Sequence, residues 1–311
     1  MYSTAHKILF SLRASTTARG VPEPAQFSRF IKLALKGYES VFTSAAPRPV
    51  VSVSMFHFCA RSSLTDLLNA PISVDDALSS RDMTQVRLTR WRAVLSLAFF
   101  GAMRSSEYIE SALLGSCVSF DAPSSSSLAH LRSFLPSHSL ATLWEAVVSG
   151  LHPKAVVSVT ILSSKCNSKP ESRLIGRDIS DPSLCPVAAL ALWFVLRPAS
   201  DGDSPFFALR SRASGNFRGL SRDEVVAPLR FYLSASGLMD PASVLMVNLH
   251  ALRHGRASGA VLGGASRAQT KCLGRWRGDT DAIYTSTTKG PQGLAAASAI
   301  SRALASVSTA P

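Results

Sequence analysis

The chain has 311 residues, of which 46% are hydrophobic, so it can bury a core, which excludes a disordered polypeptide. Its length leaves room for two domains, or for one large core with arms. Lys and Arg number 33 against 20 Asp and Glu, a formal charge of +13, which points to polyanionic partners, nucleic acid first and anionic membrane second.

The five cysteines, Cys59, Cys117, Cys166, Cys185 and Cys272, are odd in number and lack the close pairing of a zinc site. Buried thiols in a reducing compartment are the expectation. The longest apolar runs, Ala93 to Met103 and Pro186 to Leu196, are about half the length of a bilayer crossing, so no transmembrane segment is expected. The first 22 residues hold Lys7, Arg13 and Arg19 and no acid before Glu23, a composition that suits an organelle transit peptide, and also a basic DNA-contacting arm or an imprecisely placed start of the chain.

In chain order, residues 1–75 read as a short helical region. Gln26 to Phe42 carries Phe27, Phe30, Ile31, Leu33, Leu35 and Val41 interleaved with Arg29, Lys32 and Lys36, and a second helix is expected from Ser54 to Leu68. Residues 1–50 hold seven Lys/Arg against two Glu. A longer helix is expected over Met83 to Met103, apolar nearly all round in its second half, ending at Gly101 with Arg104 just beyond. The Ser-rich stretch from Asp121 to Ser139 reads as a surface loop. Val156 to Leu162 is β-branched and reads as a strand, Asn167 to Pro170 as a turn, and Arg173 to Ile179 as the returning strand.

Pro186 stands where a helix begins, running to about Arg197. Ser221 to Glu224 has the spacing of a capping box for a helix ending near Gly237, with Pro228 predicting a kink or a late start. Further helices are expected over Leu249 to Leu262, stopped by Gly263 and Gly264, and over Arg267 to Leu273 with Ser266 as cap. The Ala- and Ser-rich tail, 291–311, is expected to form one more. The whole reads as mainly α with a small antiparallel β-sheet (α+β).

One constellation along this frame suits phosphodiester chemistry. Such transfer needs fixed cations or donors around a charged phosphorus, a proton for the departing oxygen, and a nucleophile that can hold a covalent intermediate. Arginine serves the first need because its planar fork pairs bidentately with phosphate and stays charged. Arg104 follows the apolar helix in Gly101-Ala-Met-Arg104-Ser-Ser-Glu107, and Lys165 stands at the end of the first strand, with Lys169 a rival for the same role. His250 and Arg253 lie three apart on one helical face, Trp276 follows, and Tyr284 closes the series eight residues later. Residues 250–284 hold six Lys/Arg against two Asp, an excess that suits a DNA-facing surface. His254 points to another face of its helix and reads as structural.

In their order and context these boxes resemble the catalytic domain of tyrosine recombinases: an Arg after an apolar helix, a Lys on a β-hairpin, His-x-Leu-Arg, Leu-Gly with Trp, then Tyr. The resemblance covers about residues 78–290. The run from Arg253 to Ser258 and Gly274-Arg-Trp276 are most similar to recombinases of eukaryotic mobile elements, the crypton and tyrosine-recombinase retrotransposon groups. The resemblance implies a recombinase catalytic-domain fold behind a short amino-terminal clamp (1–75), with Arg104 and Arg253 clamping the scissile phosphate. It implies Lys165 as the acid for the 5′ leaving oxygen, His250 assisting, Trp276 as a phosphate donor and Tyr284 as the nucleophile. No metal or other cofactor is implied. Double-stranded DNA is the implied partner, bound by a homotetramer on two synapsed duplexes, with a nuclear location in a eukaryote. Three alternatives stay open: a DNA-binding protein derived from such an element that has lost its chemistry, a type IB topoisomerase-like relaxase with the same site, and a basic helical structural protein of an organelle.

Overall fold

The computed structural model describes residues 49–69, 83–109, 113–121, 125–131, 139–162, 169–178, 180–197, 203–210 and 216–276. The expected helix at Gln26 to Phe42, the tail from 291, Lys165, the first half of the 167–170 turn and Tyr284 lie outside them.

Two helices form the centre. α1 (Val53–Asn69) puts Phe56, Cys59, Leu64 and Leu67 inward, and α2 (Met83–Phe100) is buried on all sides from Thr89 to Phe99. Phe56 stacks on Phe99 with ring centroids 4.2 Å apart. The compact unit begins at Pro49, so α1, read from the sequence as part of an amino-terminal region ending near 75, packs as part of the larger body.

Full burial obliges α2 to find partners for its polar groups, because a buried charge without one is costly. Arg90 pairs with Glu224 at 2.5 Å and donates to the Phe207 carbonyl at 3.2 Å. Arg92 donates to the Ala60 and Ser183 carbonyls and to Ser63 Oγ. The Trp91 indole N–H reaches the Val225 carbonyl at 2.9 Å. The helix thus fixes the lateral positions of four chain segments at once.

The sheet follows. β1 (Val118–Phe120), β2 (Val156–Ile161) and β3 (Glu171–Gly176) are antiparallel in that order. Val157, Val159 and Ile161 face the core, and the register sets Val157 opposite Ile175, Val159 opposite Arg173 and Ile161 opposite Glu171. Because side chains alternate along a strand, Glu171 and Arg173 share the inward face with Ile175, while Leu174 points out and is 75% exposed.

Between β1 and β2 lie α3 (Ser125–Leu131) and α4 (Leu140–Gly150). The Ser-rich stretch is therefore not a loop throughout: Leu128, fully buried, anchors a short helix inside it. Neither β1, three residues long, nor α4 was anticipated from the sequence.

α5 (Pro186–Leu196) begins at proline and packs against α2, and its wholly apolar sequence matches burial of nearly every side chain. A two-residue pair, β4 (Leu209–Arg210) with β5 (Phe217–Arg218), adds a second small antiparallel sheet. α6 (Arg222–Ser236) starts at the Ser221–Glu224 capping box and ends at Gly237 with φ 62°. Pro228 lies inside it, so the late start that this proline suggested does not occur. α7 (Pro241–Met246), capped by Asp240, leads to α8 (His250–Leu262), and α9 (Arg267–Gly274) is capped by Ser266. The protein is thus mainly helical with a small antiparallel three-stranded sheet.

α8 approaches the incoming chain closely. The Val51 N–H donates to the Ala251 carbonyl at 3.2 Å, and a Cβ on Gly255 would fall 1.7 Å from the Val51 carbonyl oxygen. In an open helix Gly→Ala stabilises by about 1 kcal/mol. Here Gly255→Ala is expected to reverse that sign and lower stability by about 1–3 kcal/mol, because the added methyl must push backbone aside. Urea denaturation of the two proteins checks it, and a variant as stable as the parent would refute the close approach.

Candidate functional site

Arg104 and Arg275 are presented by the same local device. α2 ends with the Met103 N–H on the Ala98 carbonyl and the Ala102 N–H on the Phe99 carbonyl. α9 ends with the Trp276 N–H on the Lys271 carbonyl and the Arg275 N–H on the Cys272 carbonyl. Both are the paired bonds that close a helix through one left-handed residue, a place usually held by glycine. Here the left-handed residues are Ala102 (φ 46°) and Arg275 (φ 55°), the two non-glycine residues with positive φ among those described. Each costs on the order of 1–2 kcal/mol. The first turn releases the chain toward Arg104, and the second swings the Arg275 side chain inward.

They meet at Glu107, whose side chain is 1% exposed. One carboxylate oxygen accepts from the Arg104 guanidinium at 3.1 Å, and the other from the Arg104 backbone N–H at 2.8 Å and from Arg275. Arg275 also lies 3.8 Å from Glu171 of β3. On the same strand Arg173 donates to the Cys272 carbonyl at 3.1 Å, so β3 is bonded to the end of α9. Burial, and next the neighbouring charge of Arg275, hold the Arg173 guanidinium below the usual arginine range; arginine nevertheless stays charged near neutrality.

Arg253, 1% exposed on α8, enters from the other side. Its guanidinium donates to the Gly274 carbonyl and lies over the Trp276 ring, 5.1 Å from the centroid. A Cβ on Gly274 would fall 2.0–2.2 Å from ring atoms of Trp276, so the glycine leaves the space in which the indole folds back. Trp276 also packs on Ala257 of α8. The three residues Gly274, Arg275 and Trp276 therefore hold Arg253 on one side and, through Glu107, Arg104 on the other.

His250 is the exposed first residue of α8, one turn before Arg253, with its ring 5.6 Å from that of buried His254. Lys169, the rival of Lys165, is exposed just before β3. Of the six residues expected to carry chemistry, Arg104, Arg253 and Trp276 are brought together around Glu107 and Gly274, and His250 stands beside them on the same helix. Lys165 and Tyr284 lie outside the described residues. Glu107, Arg173 and Arg275 were not singled out from the sequence. Glu107 stands three residues after Arg104 in the quoted motif, a readable signal; nothing local distinguishes Arg275 from Trp276 until the end of α9 turns one of them inward.

Among the described residues, no group of three or more His, Cys, Asp or Glu could hold a metal ion, and no helix is long and apolar enough to cross a membrane. Neither protein-family models nor curated proteins give a match to this chain.

Removing one partner of a buried ion pair leaves the other charge uncompensated, at about 3–5 kcal/mol. Glu107→Gln is expected to cost that much in urea denaturation, whereas Arg61→Gln, which breaks an exposed pair with Asp181, should cost below about 1 kcal/mol. Similar costs for the two variants would mean that Glu107 does not organise the cluster.

Proposed function

We propose that the chain is a phosphoryl-transfer enzyme acting on DNA, and within that class a tyrosine recombinase that breaks and rejoins strands through a covalent 3′-phosphotyrosyl intermediate. The observation that carries the reading is the convergence of Arg104 and Arg253, 149 residues apart in sequence, on the two sides of one three-residue turn. Arginines held by one such turn suit a ligand that brings negative charge of its own, and a phosphodiester in transfer does so.

In this mechanism Arg104 and Arg253 neutralise the non-bridging oxygens of the scissile phosphate. The Tyr284 hydroxyl gives its proton to His250, the assisting residue, as its oxygen attacks phosphorus. The bond to the 5′ oxygen breaks, and Lys165 protonates that oxygen as it leaves. A 5′ hydroxyl attacking the phosphotyrosine reverses the step, so the bond energy is conserved without a cofactor. The formal charge of +13 favours a DNA partner, bound with steep salt dependence. A homotetramer on paired duplexes belongs to the same proposal.

The test is a nicked suicide duplex incubated with the full chain and denatured in SDS. A protein–DNA adduct is expected from the parent and none from Tyr284→Phe. Arg253→Ala should lower its rate of formation by at least about 100-fold, the scale on which loss of one oxyanion-stabilising donor is felt. No adduct from the parent, or an adduct persisting in Tyr284→Phe, would overturn the reading. Relaxation of a supercoiled plasmid lacking any specific site would place the same chemistry in a topoisomerase-like relaxase instead.

A further inference from the structure

We propose that Arg173 is a positioning residue. It fastens the β2–β3 hairpin, whose connecting segment carries Lys165, to the helix end from which the chain runs on to Tyr284. The proposal rests on the recombinase reading for the roles of Lys165 and Tyr284. The joint itself is argued from the contacts.

β3 is an edge strand, so its side away from β2 has no strand beside it. The register pairs Ile161 with Glu171, and the segment between them, 162–170, holds both Lys165 and Lys169. Arg173 stands two residues past Glu171, with its side chain 14% exposed. Its Nη2 reaches the Cys272 carbonyl at 3.1 Å, and the same carbonyl accepts the Arg275 backbone N–H at 3.2 Å. Both lone pairs of one oxygen are thus engaged, one by the strand and one by the turn that closes α9. Carbonyls in the last turn of a helix look outward for donors, and a cation there also meets the negative end of the helix dipole.

That closure needs support. Arg275 is left-handed without being glycine, and such a residue persists where its surroundings hold it. Arg173 holds the turn from the sheet, and Arg253, on the Gly274 carbonyl, holds it from α8. Glu171 adds a looser tie, 3.8 Å from Arg275. The end of α9 therefore takes its place from the hairpin as well as from the helix carrying His250 and Arg253.

A general acid acts only within hydrogen-bonding reach of the atom it protonates, and a misplacement of about 1 Å costs on the order of 100-fold. Arg173 bonds the root of the segment carrying the acid to the root of the segment carrying the nucleophile. Losing it frees the hairpin to shift against α9, while Arg104 keeps Glu107 and Arg253 keeps the Gly274 carbonyl. The loss falls on proton transfer from Lys165 to the departing 5′ oxygen and not on the phosphate clamp.

The experiment uses the full chain and the nicked suicide duplex in two forms, one with the ordinary 5′ oxygen at the scissile bond and one with sulfur in its place. The oxygen leaves with a proton from the Lys165 ammonium. Sulfur leaves as a thiolate without one, because a thiol is a far stronger acid than an alcohol. Arg173→Met keeps the stem and loses the donors. It should slow adduct formation about 10- to 100-fold on the oxygen duplex and leave the sulfur duplex near the parent's rate, the pattern also expected of Lys165→Ala. Arg173→Lys, which keeps the charge without the fork, should fall between on the oxygen duplex. If Arg173→Met proves unfolded by circular dichroism, the lysine variant carries the comparison, its slowing again confined to oxygen. Equal slowing on both duplexes would overturn the proposal, since a residue that touched the phosphate or merely held the fold would act on both alike. So would parental rates on both. Amide hydrogen exchange without DNA separates the joint from the reading beneath it. The Arg275 N–H should exchange about fivefold faster in Arg173→Met, the scale of one lost hydrogen bond. That faster exchange, with no adduct from the parent on either duplex, sinks the recombinase and keeps the joint; unchanged exchange sinks the joint whatever the duplexes show.

Discussion

A carboxylate with its side chain 1% exposed is tolerable only if positive charge comes to it, and at Glu107 that requirement organises much of the described protein. The charge arrives from Arg104, fixed by the end of α2, and from Arg275, fixed by the end of α9. Both helix ends must therefore be held to within hydrogen-bonding tolerance, and the rest of the fold supplies the holding. α2 is pinned at its middle by Arg90, Trp91 and Arg92, which bond to α1, to the start of α6 and to the carbonyls of Ser183 and Phe207. α9 is pinned by Arg173 of the sheet and through Gly274 by Arg253 of α8.

Much of this frame was legible in the residues. The fully apolar second half of α2, the β-branched run of β2, the capping box at Ser221, the cap at Ser266 and the proline at the start of α5 each act locally, so they can be read one segment at a time. What escaped was set by tertiary context. β1 is too short to carry a period of its own and exists because β2 offers an edge to pair with. The helix in the Ser-rich stretch depends on one leucine, Leu128, finding the core. Pro228 sits within α6, whose start is fixed by the Ser221 capping box and which is anchored by Val225, Leu229 and Leu233.

The candidate site divides in the same way. Arg104 and Arg253 are recognisable in sequence because each stands in a local motif, and the structure brings both to one turn. Arg275 carries no comparable mark. Its place in the cluster follows from a helix that closes through a left-handed residue with no glycine to announce it, a choice between two neighbours, Arg275 and Trp276, that only the folded helix end makes. Sequence patterns of chemistry locate the stations along a chain; which side chain faces the station is decided by backbone geometry.

The bond between Val51 and Ala251 bears on how this protein can be dissected. Ala251 lies between His250 and Arg253, and Gly255, one turn on, has no room for a methyl group beneath the Val51 carbonyl. The backbone just ahead of α1 is thus a floor on which the arginine-bearing helix rests. A fragment cut at residue 78, where composition suggests a domain boundary, would discard that floor together with α1. The smallest independent piece with an intact cluster should therefore begin no later than Pro49, and a shorter fragment that proved inert would report on its missing support rather than on its chemistry.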